Sequence, residues 1–388
     1  MRPWGVLAAV SFANFLVALL HLGMAASGPL LRRELGLDPR ELGLLLAAPP
    51  FGLMLGVFAW GVLVDRYEDR LVLAAAFVLT AAAIAGAAIA AAAGSVPWLL
   101  VALFLSGLCG SAAHPAGGRA VTQVFDAGRH GTVLAIRHTA VPLGGVAGGL
   151  LLPLGIDTIG IGATLGGVAA ACLVSVAWTL HALPREDAHV LRAAVRSLED
   201  PLRSAALWLL ALGSGSLAFV QLGIASFLTI YLVDEAGFGV GAAAGVFAAS
   251  QLLGAGGRVG LGVTSDRVRV RVLRAVAAAA AVGIVALLLL GNGVAGGVIL
   301  AATLVLATSW NGVSVAAAAA LSPEGRTGAT LGMQTTVNSV ACTIGPIIIG
   351  VCVAGPGWHA VFAVFASALL LSILSFTVLD RLPGRMHT

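Results

Sequence analysis

Eight polar side chains interrupt otherwise apolar stretches of this 388-residue chain: His21, His114, Arg137, His138, Gln221, Asn311, Gln334 and Asn338. Each type offers a distinct chemistry. A guanidinium can hold a carboxylate or phosphate through two parallel hydrogen bonds. An imidazole can gain and lose a proton near neutral pH. The amides offer neutral donors and acceptors. All 17 acidic residues fall in loops or at the ends of apolar segments, so Arg137 has no carboxylate in the middle of any of them. Two dispositions follow for Arg137. It contacts an anionic ligand, or it snorkels to one end of its segment or reaches Asp126; it lies only about 10 Å along a helix from Gly131 at ~1.5 Å per residue. The histidines are similarly open, either to carrying a proton or to serving as polar contacts between helices. No metal-ligand cluster, phosphate loop or nucleophile with a matched base is recognisable. An enzyme is therefore not expected, nor a cofactor or a bound metal.

The elements that must position these groups are membrane helices. The composition is 59% hydrophobic and 10% charged, with a mean hydropathy of +1.03, far from the balance of soluble domains. A spanning helix needs about 20 mostly apolar residues. Twelve segments qualify, at 4–28, 42–64, 71–93, 98–122, 131–153, 158–182, 204–232, 241–263, 272–291, 295–320, 328–353 and 358–380. The first resembles a signal peptide only in its small residues near Ser27, and an uncleaved helix is expected. Cys109, Cys172, Cys342 and Cys352 lie inside apolar segments without paired spacing, so no disulfide is expected. The expected fold class is an all-α membrane protein.

Every basic residue is Arg. With a cytoplasmic N-terminus, 15 arginines fall inside and 3 (Arg32, Arg33, Arg40) outside, while Arg119, Arg137 and Arg258 remain within helices. Both termini are thus expected in the cytoplasm, in a bacterial cytoplasmic membrane crossed many times. The pI near 9.3 follows from this topology signal, and no nucleic-acid partner is expected. The longest polar stretch, Pro184 to Ser204, separates six segments from six. The expected organisation is a six-helix bundle at 1–183, a cytoplasmic linker at 184–203 that includes an amphipathic surface helix, and a second bundle at 204–388.

The two bundles are related by an internal repeat. ALLHLGMA at 18–25 falls on AFVQLGIA at 218–225, which pairs His21 with Gln221. GRHGTVLAIRHT at 128–139 falls on GRTGATLGMQTT at 325–336, which pairs Arg137 with Gln334 and places His114 over Asn311. The charged loop GVLVDRYEDR at 61–70 returns in reduced form as GLGVTSDRVRVR at 260–271.

On these motifs the chain resembles the major facilitator superfamily over essentially its whole length. GVLVDRYEDR resembles that superfamily's loop signature between the second and third helices, with Glu68 and Asp69 where a small residue and Gly are usual. PAGGRAVTQVF at 115–125 with RHTAVPLGG at 137–145 resembles the bacterial cyanate-permease-like group. The resemblance implies two pseudo-symmetric bundles of six helices around a central cavity lined by helices 1, 4, 5, 7, 10 and 11. It also implies a gating role for Asp65, Arg66, Arg70, Asp266 and Arg267, with ordinary topology charge as the alternative; Arg119 and Arg258 are expected to join that network. Small residues and prolines at 141–153 and 344–350 would let helices 5 and 11 approach their neighbours closely and bend.

The expected function is a secondary transporter of a small, anionic organic solute by alternating access, as a monomer in the lipid bilayer, with histidine as the group that could carry a coupled proton. Efflux of drugs or other hydrophobic compounds is the alternative, and a non-transporting receptor the distant one.

Overall fold

The computed structural model of the chain describes residues 3–64, 66–126, 130–185, 201–264, 269–290, 293–323 and 327–382. Every regular element among them is helical: α1 (Pro3–Ala26), α2 (Gly28–Leu35), α3 (Pro39–Val64), α4 (Asp69–Ala92), α5 (Val96–Gly110), α6 (Pro115–Val124), α7 (His130–His138), α8 (Ala140–Ala182), α9 (Ala205–Asp234), α10 (Val240–Thr264), α11 (Arg269–Leu290), α12 (Val294–Ser309), α13 (Asn311–Leu321), α14 (Thr327–Ala354) and α15 (Trp358–Asp380). Eleven continuous stretches are long and apolar enough to cross a membrane. One of them, Ile136–Ala182, has 47 residues. At ~1.5 Å per residue it would extend about 70 Å, over twice the ~30 Å apolar thickness of a bilayer. Gly160 resolves the excess: at φ 82° and ψ 162° it takes a conformation open only to glycine and divides the stretch in two. Twelve membrane helices result.

Three spans that read as uninterrupted in the sequence are assembled from shorter helices. The fourth span breaks at a single 3₁₀ turn, Ser111–Ala113, before Pro115 starts α6; proline has no N–H to continue the ladder. The tenth breaks at Trp310, between α12 and α13. These two breaks occupy matching places in the repeat, since His114 and Asn311 follow them directly. The fifth span has a turn at Thr139, between α7 and α8. The first span also ends earlier than its hydropathy: α1 stops at Ala26, and α2 restarts at Gly28 with proline in its first turn.

The chain divides into two compact units, Met1–Ala193 with Val240–Ala248, and Ala194–Gly239 with Ala249–Thr388. Each contains the same glycine-to-glycine crossing. In the first, α8 meets α1, and a Cβ on Gly148 would strike the Leu19 carbonyl oxygen and stand 3.0 Å from Gly23 Cα. In the second, α14 meets α9, and a Cβ on Gly345 would stand 3.1 Å from the Phe219 carbonyl oxygen and 3.5 Å from Gly223 N. Leu19 and Phe219, like Gly23 and Gly223, are repeat partners. Helices pack backbone to backbone at these points because neither side chain intervenes.

Candidate functional site

In the first unit, the broken fourth span organises the polar residues. Arg137, near the end of α7, is 3% exposed. Its Nη2 donates to the Ala113 carbonyl, and to the His114 carbonyl at 3.1 Å. Neither snorkelling nor a bond to Asp126 is adopted: the guanidinium instead sits on carbonyls at the helix break. His114 is half-buried and interacts electrostatically with Arg137, His138 and His21. His21, also half-buried, lines a cavity of about 10 Å³ with Thr80, Ser106 and Cys172, room for roughly one water molecule. His138 is exposed. The four residues that sequence reasoning selected in this half are thus neighbours.

In the second unit, the selected residues form two groups. Gln221 on α9 accepts a hydrogen bond from Trp310 Nε1 at 3.1 Å, at the break that Asn311 follows; both Gln221 and Asn311 are half-buried. Gln334 and Asn338 lie one turn apart on α14. The Gln334 Nε2 donates to the Ser314 hydroxyl, to the Ser314 carbonyl at 3.4 Å and to Ser214 Oγ at 3.4 Å. Ser214 Oγ in turn donates to Asn338 Oδ1 at 3.2 Å. Ser214, Ser314 and Trp310 were not selected from the sequence. Repeat register is the signal that could have found the two serines, since 14 and 117 fall on 214 and 314.

The three arginines left inside helices by the topology count share one physical solution. Arg137 faces the carbonyls at the α5 break. Arg119 on α6 donates to the Val64 carbonyl and, at 3.3 Å, to the Tyr67 carbonyl, both past or at the end of α3. Arg258 on α10 donates to the Thr308 carbonyl at 3.1 and 3.3 Å, in the last turn of α12. Helix ends leave carbonyls without intrahelical partners and carry partial negative charge, so a cation there is solvated without water.

Of the residues expected to gate, Asp65, Asp266 and Arg267 lie outside the described residues. Arg66 is exposed and Arg70 half-buried. The acid that Arg119 engages is Asp69, with Nε 2.9 Å from Oδ1; the Asp69 side chain is 2% exposed. Asp69 stands at a departure from the loop signature, and sequence reasoning did not assign it a partner. The second unit carries Val270 and Ala316 at the corresponding register positions and sets its charges elsewhere: Asp380, ending α15, meets Arg274 at 3.3 Å and Arg271 at 3.5 Å.

A chain of twelve membrane helices, built from two repeated halves with matching breaks in the fourth and tenth, has the architecture of a polytopic transporter. Residues 7–316 match the family model of the Major Facilitator Superfamily, and the chain belongs to that family. It is 34% and 33% identical over 355 residues to two uncharacterised MFS-type transporters of Mycobacterium tuberculosis, from strains CDC 1551 / Oshkosh and ATCC 25618 / H37Rv. Each alignment covers 87% of this chain and 79% of the relative. Its fold is similar to that of a bacterial homologue of the human lysosomal transporter Spinster. The inward-facing, occupied structure of that protein gives a TM-score of 0.74 at 16% identity, covering 98% of this chain and 95% of the other. The inward-facing, unoccupied structure gives 0.69 at 17% identity with the same coverage.

Proposed function

We propose that this membrane transporter moves a small organic anion across the cytoplasmic membrane by alternating access between bundles at 1–183 and 204–388, joined by a cytoplasmic linker at 184–203. Both termini are cytoplasmic in this reading, and the working unit is a monomer. The observation that carries it is Arg137. This guanidinium is almost wholly buried and, among the described residues, its hydrogen bonds go to two neutral carbonyls. A helix end offsets only about half a charge, so the surroundings of Arg137 keep a positive field in a low-dielectric interior, where an anion is favoured. In this reading a histidine, His114 or His21 before His138, carries the coupled proton.

Uptake by proteoliposomes of radiolabelled carboxylates, measured against amines of matched size, tests the reading. Wild type is expected to accept the carboxylates, and Arg137→Gln to lose roughly 100-fold in apparent affinity, about 2.7 kcal/mol. Unchanged carboxylate affinity in Arg137→Gln would end the anion reading. For coupling, an imposed inward proton gradient should accelerate uptake in wild type but not in His114→Gln; indifference of wild type to the gradient excludes it.

A further inference from the structure

The two halves can be compared atom by atom around Arg137, and they differ in how completely their buried polar groups are satisfied. In the second unit, Ser214, Ser314 and Gln334 bond to one another. The register partners of these residues in the first unit are Asn14, Gly117 and Arg137. Arg137 lies directly over Gly117: a Cβ there would stand 3.1 Å from its Nη2 and 3.2 Å from its Nε. Asn14 on α1 is 1% exposed. Its Oδ1 and Nδ2, like the Nε of Arg137, are buried with no hydrogen-bond partner among the described residues.

Register brings these unpartnered groups to one level. A Cβ on Gly110 would stand 3.1 Å from Val17, and one on Gly117 would stand 3.2 Å from Val10. Thus α1 runs antiparallel to the broken fourth span, seven residues on one matching seven on the other. Val10, Asn14 and Val17 share one helix face at i, i+4 and i+7, so Asn14 is level with Ala113. That is where the Arg137 guanidinium makes its bonds. A buried carboxamide with both ends unsatisfied carries its full desolvation penalty, and the penalty is heavier in a membrane, where water cannot compensate.

We propose that Asn14 and Arg137 together form a ligand subsite inside the first unit, for a carboxylate that carries an O–H or N–H donor close to its charged group. Arg137 Nε and Asn14 Nδ2 donate to the carboxylate oxygens; Asn14 Oδ1 accepts from the neighbouring hydroxyl or amine. The corresponding triad in the second unit satisfies itself and holds helices together. Access comes through separation of α1 from the broken fourth span. This inference rests on the anion reading above and adds the donor requirement to it.

The test uses purified full-length protein and paired acids that differ only in the donor: propionate with lactate, and benzoate with salicylate. Binding is read by ligand-induced thermal stabilisation. Wild type is expected to bind the donor-bearing acid at least about tenfold more tightly, because a site built for a hydrogen bond rejects the analogue that lacks it. Asn14→Leu should reduce that preference to near unity, with the plain acid still bound, more weakly, through Arg137, and should raise the Tm of the ligand-free protein by removing an unsatisfied group. Asn14→Ser, which imports the residue of the other half, provides a folded variant of reduced preference should the leucine not be accommodated. Equal binding of both acids by wild type overturns the donor subsite and leaves the anion reading standing. A lowered ligand-free Tm in Asn14→Leu with the preference intact overturns it too, since the carboxamide would then be structural. Binding unaffected by Arg137→Gln, or absent for every acid tested, defeats the anion reading and this inference with it.

Discussion

At the level of the helix breaks, the first unit buries Asn14, Gly117 and Arg137 where the second buries Ser214, Ser314 and Gln334. Near the ends of the bundles the first pairs Asp69 with Arg119 where the second has Val270 and Ala316. In both places the repeat preserves position while the chemistry changes from charged to neutral. The backbone tells the same story with less contrast: both units cross at a glycine pair, but the first packs tighter. Duplication thus supplies a common frame, and at these two levels the charge lies in the first copy, while the second sets Arg258 and the Asp380 cluster at positions of its own. A helical frame depends on small residues and apolar faces, which both copies keep, whereas a charge in an apolar interior needs specific partners and need be provided only once.

The largest test of this asymmetry is at the ion pair. Arg119→Ala would leave Asp69 buried without its cation and is expected to cost roughly 3–5 kcal/mol. The double change Asp69→Val with Arg119→Ala imports the apolar pair of the second unit and should recover most of that loss in thermal or denaturant unfolding. By contrast, Asp380→Asn removes an acid whose partners Arg271 and Arg274 are 65% and 35% exposed, and about 1 kcal/mol is expected. Equal losses at Arg119 and Asp380 would erase the distinction between the halves.

A smaller effect separates the two glycine crossings. Gly148→Ala forces a methyl group into the Leu19 carbonyl and should cost about 1–3 kcal/mol. Gly345→Ala has several tenths of an ångström more room and should lower the Tm less. The smallest functional change is expected at Gln334. Gln334→Leu breaks the serine network and should destabilise by about 1–2 kcal/mol, with the order of preference among the acids tested unchanged. A reordered preference would move substrate choice into the second unit.

Much of the frame was legible without coordinates. Hydropathy located the twelve spans to within a few residues, and the two apolar stretches merged at Ile136–Ala182 were already separate in it. The repeat placed Arg137 opposite Gln334 and His114 opposite Asn311, and the helix breaks fall on that register. What escaped were partners. Asp69 looked like a departure from a loop signature, and its contact is a residue 50 positions away. Asn14 is one polar residue in an apolar helix, indistinguishable by type from Ser214 until their surroundings are compared. Asp65, Asp266 and Arg267 lie outside the described residues, so the gating expectation now rests on measurements at those positions.

The sequence alone determined a membrane-embedded chain, its duplication and the presence of an arginine in an apolar segment that holds no acid. These follow from composition and periodicity, which are local and survive any arrangement of the helices. Only the tertiary structure decided that Arg137 sits on the carbonyls of a broken helix, that the Gln334 amide nitrogen reaches both serines, and that the buried Asn14 carboxamide has no hydrogen-bond partner among the described residues. Whether a polar group is satisfied depends on residues from 20 to 124 positions away in sequence, and that relation exists only once the helices are packed.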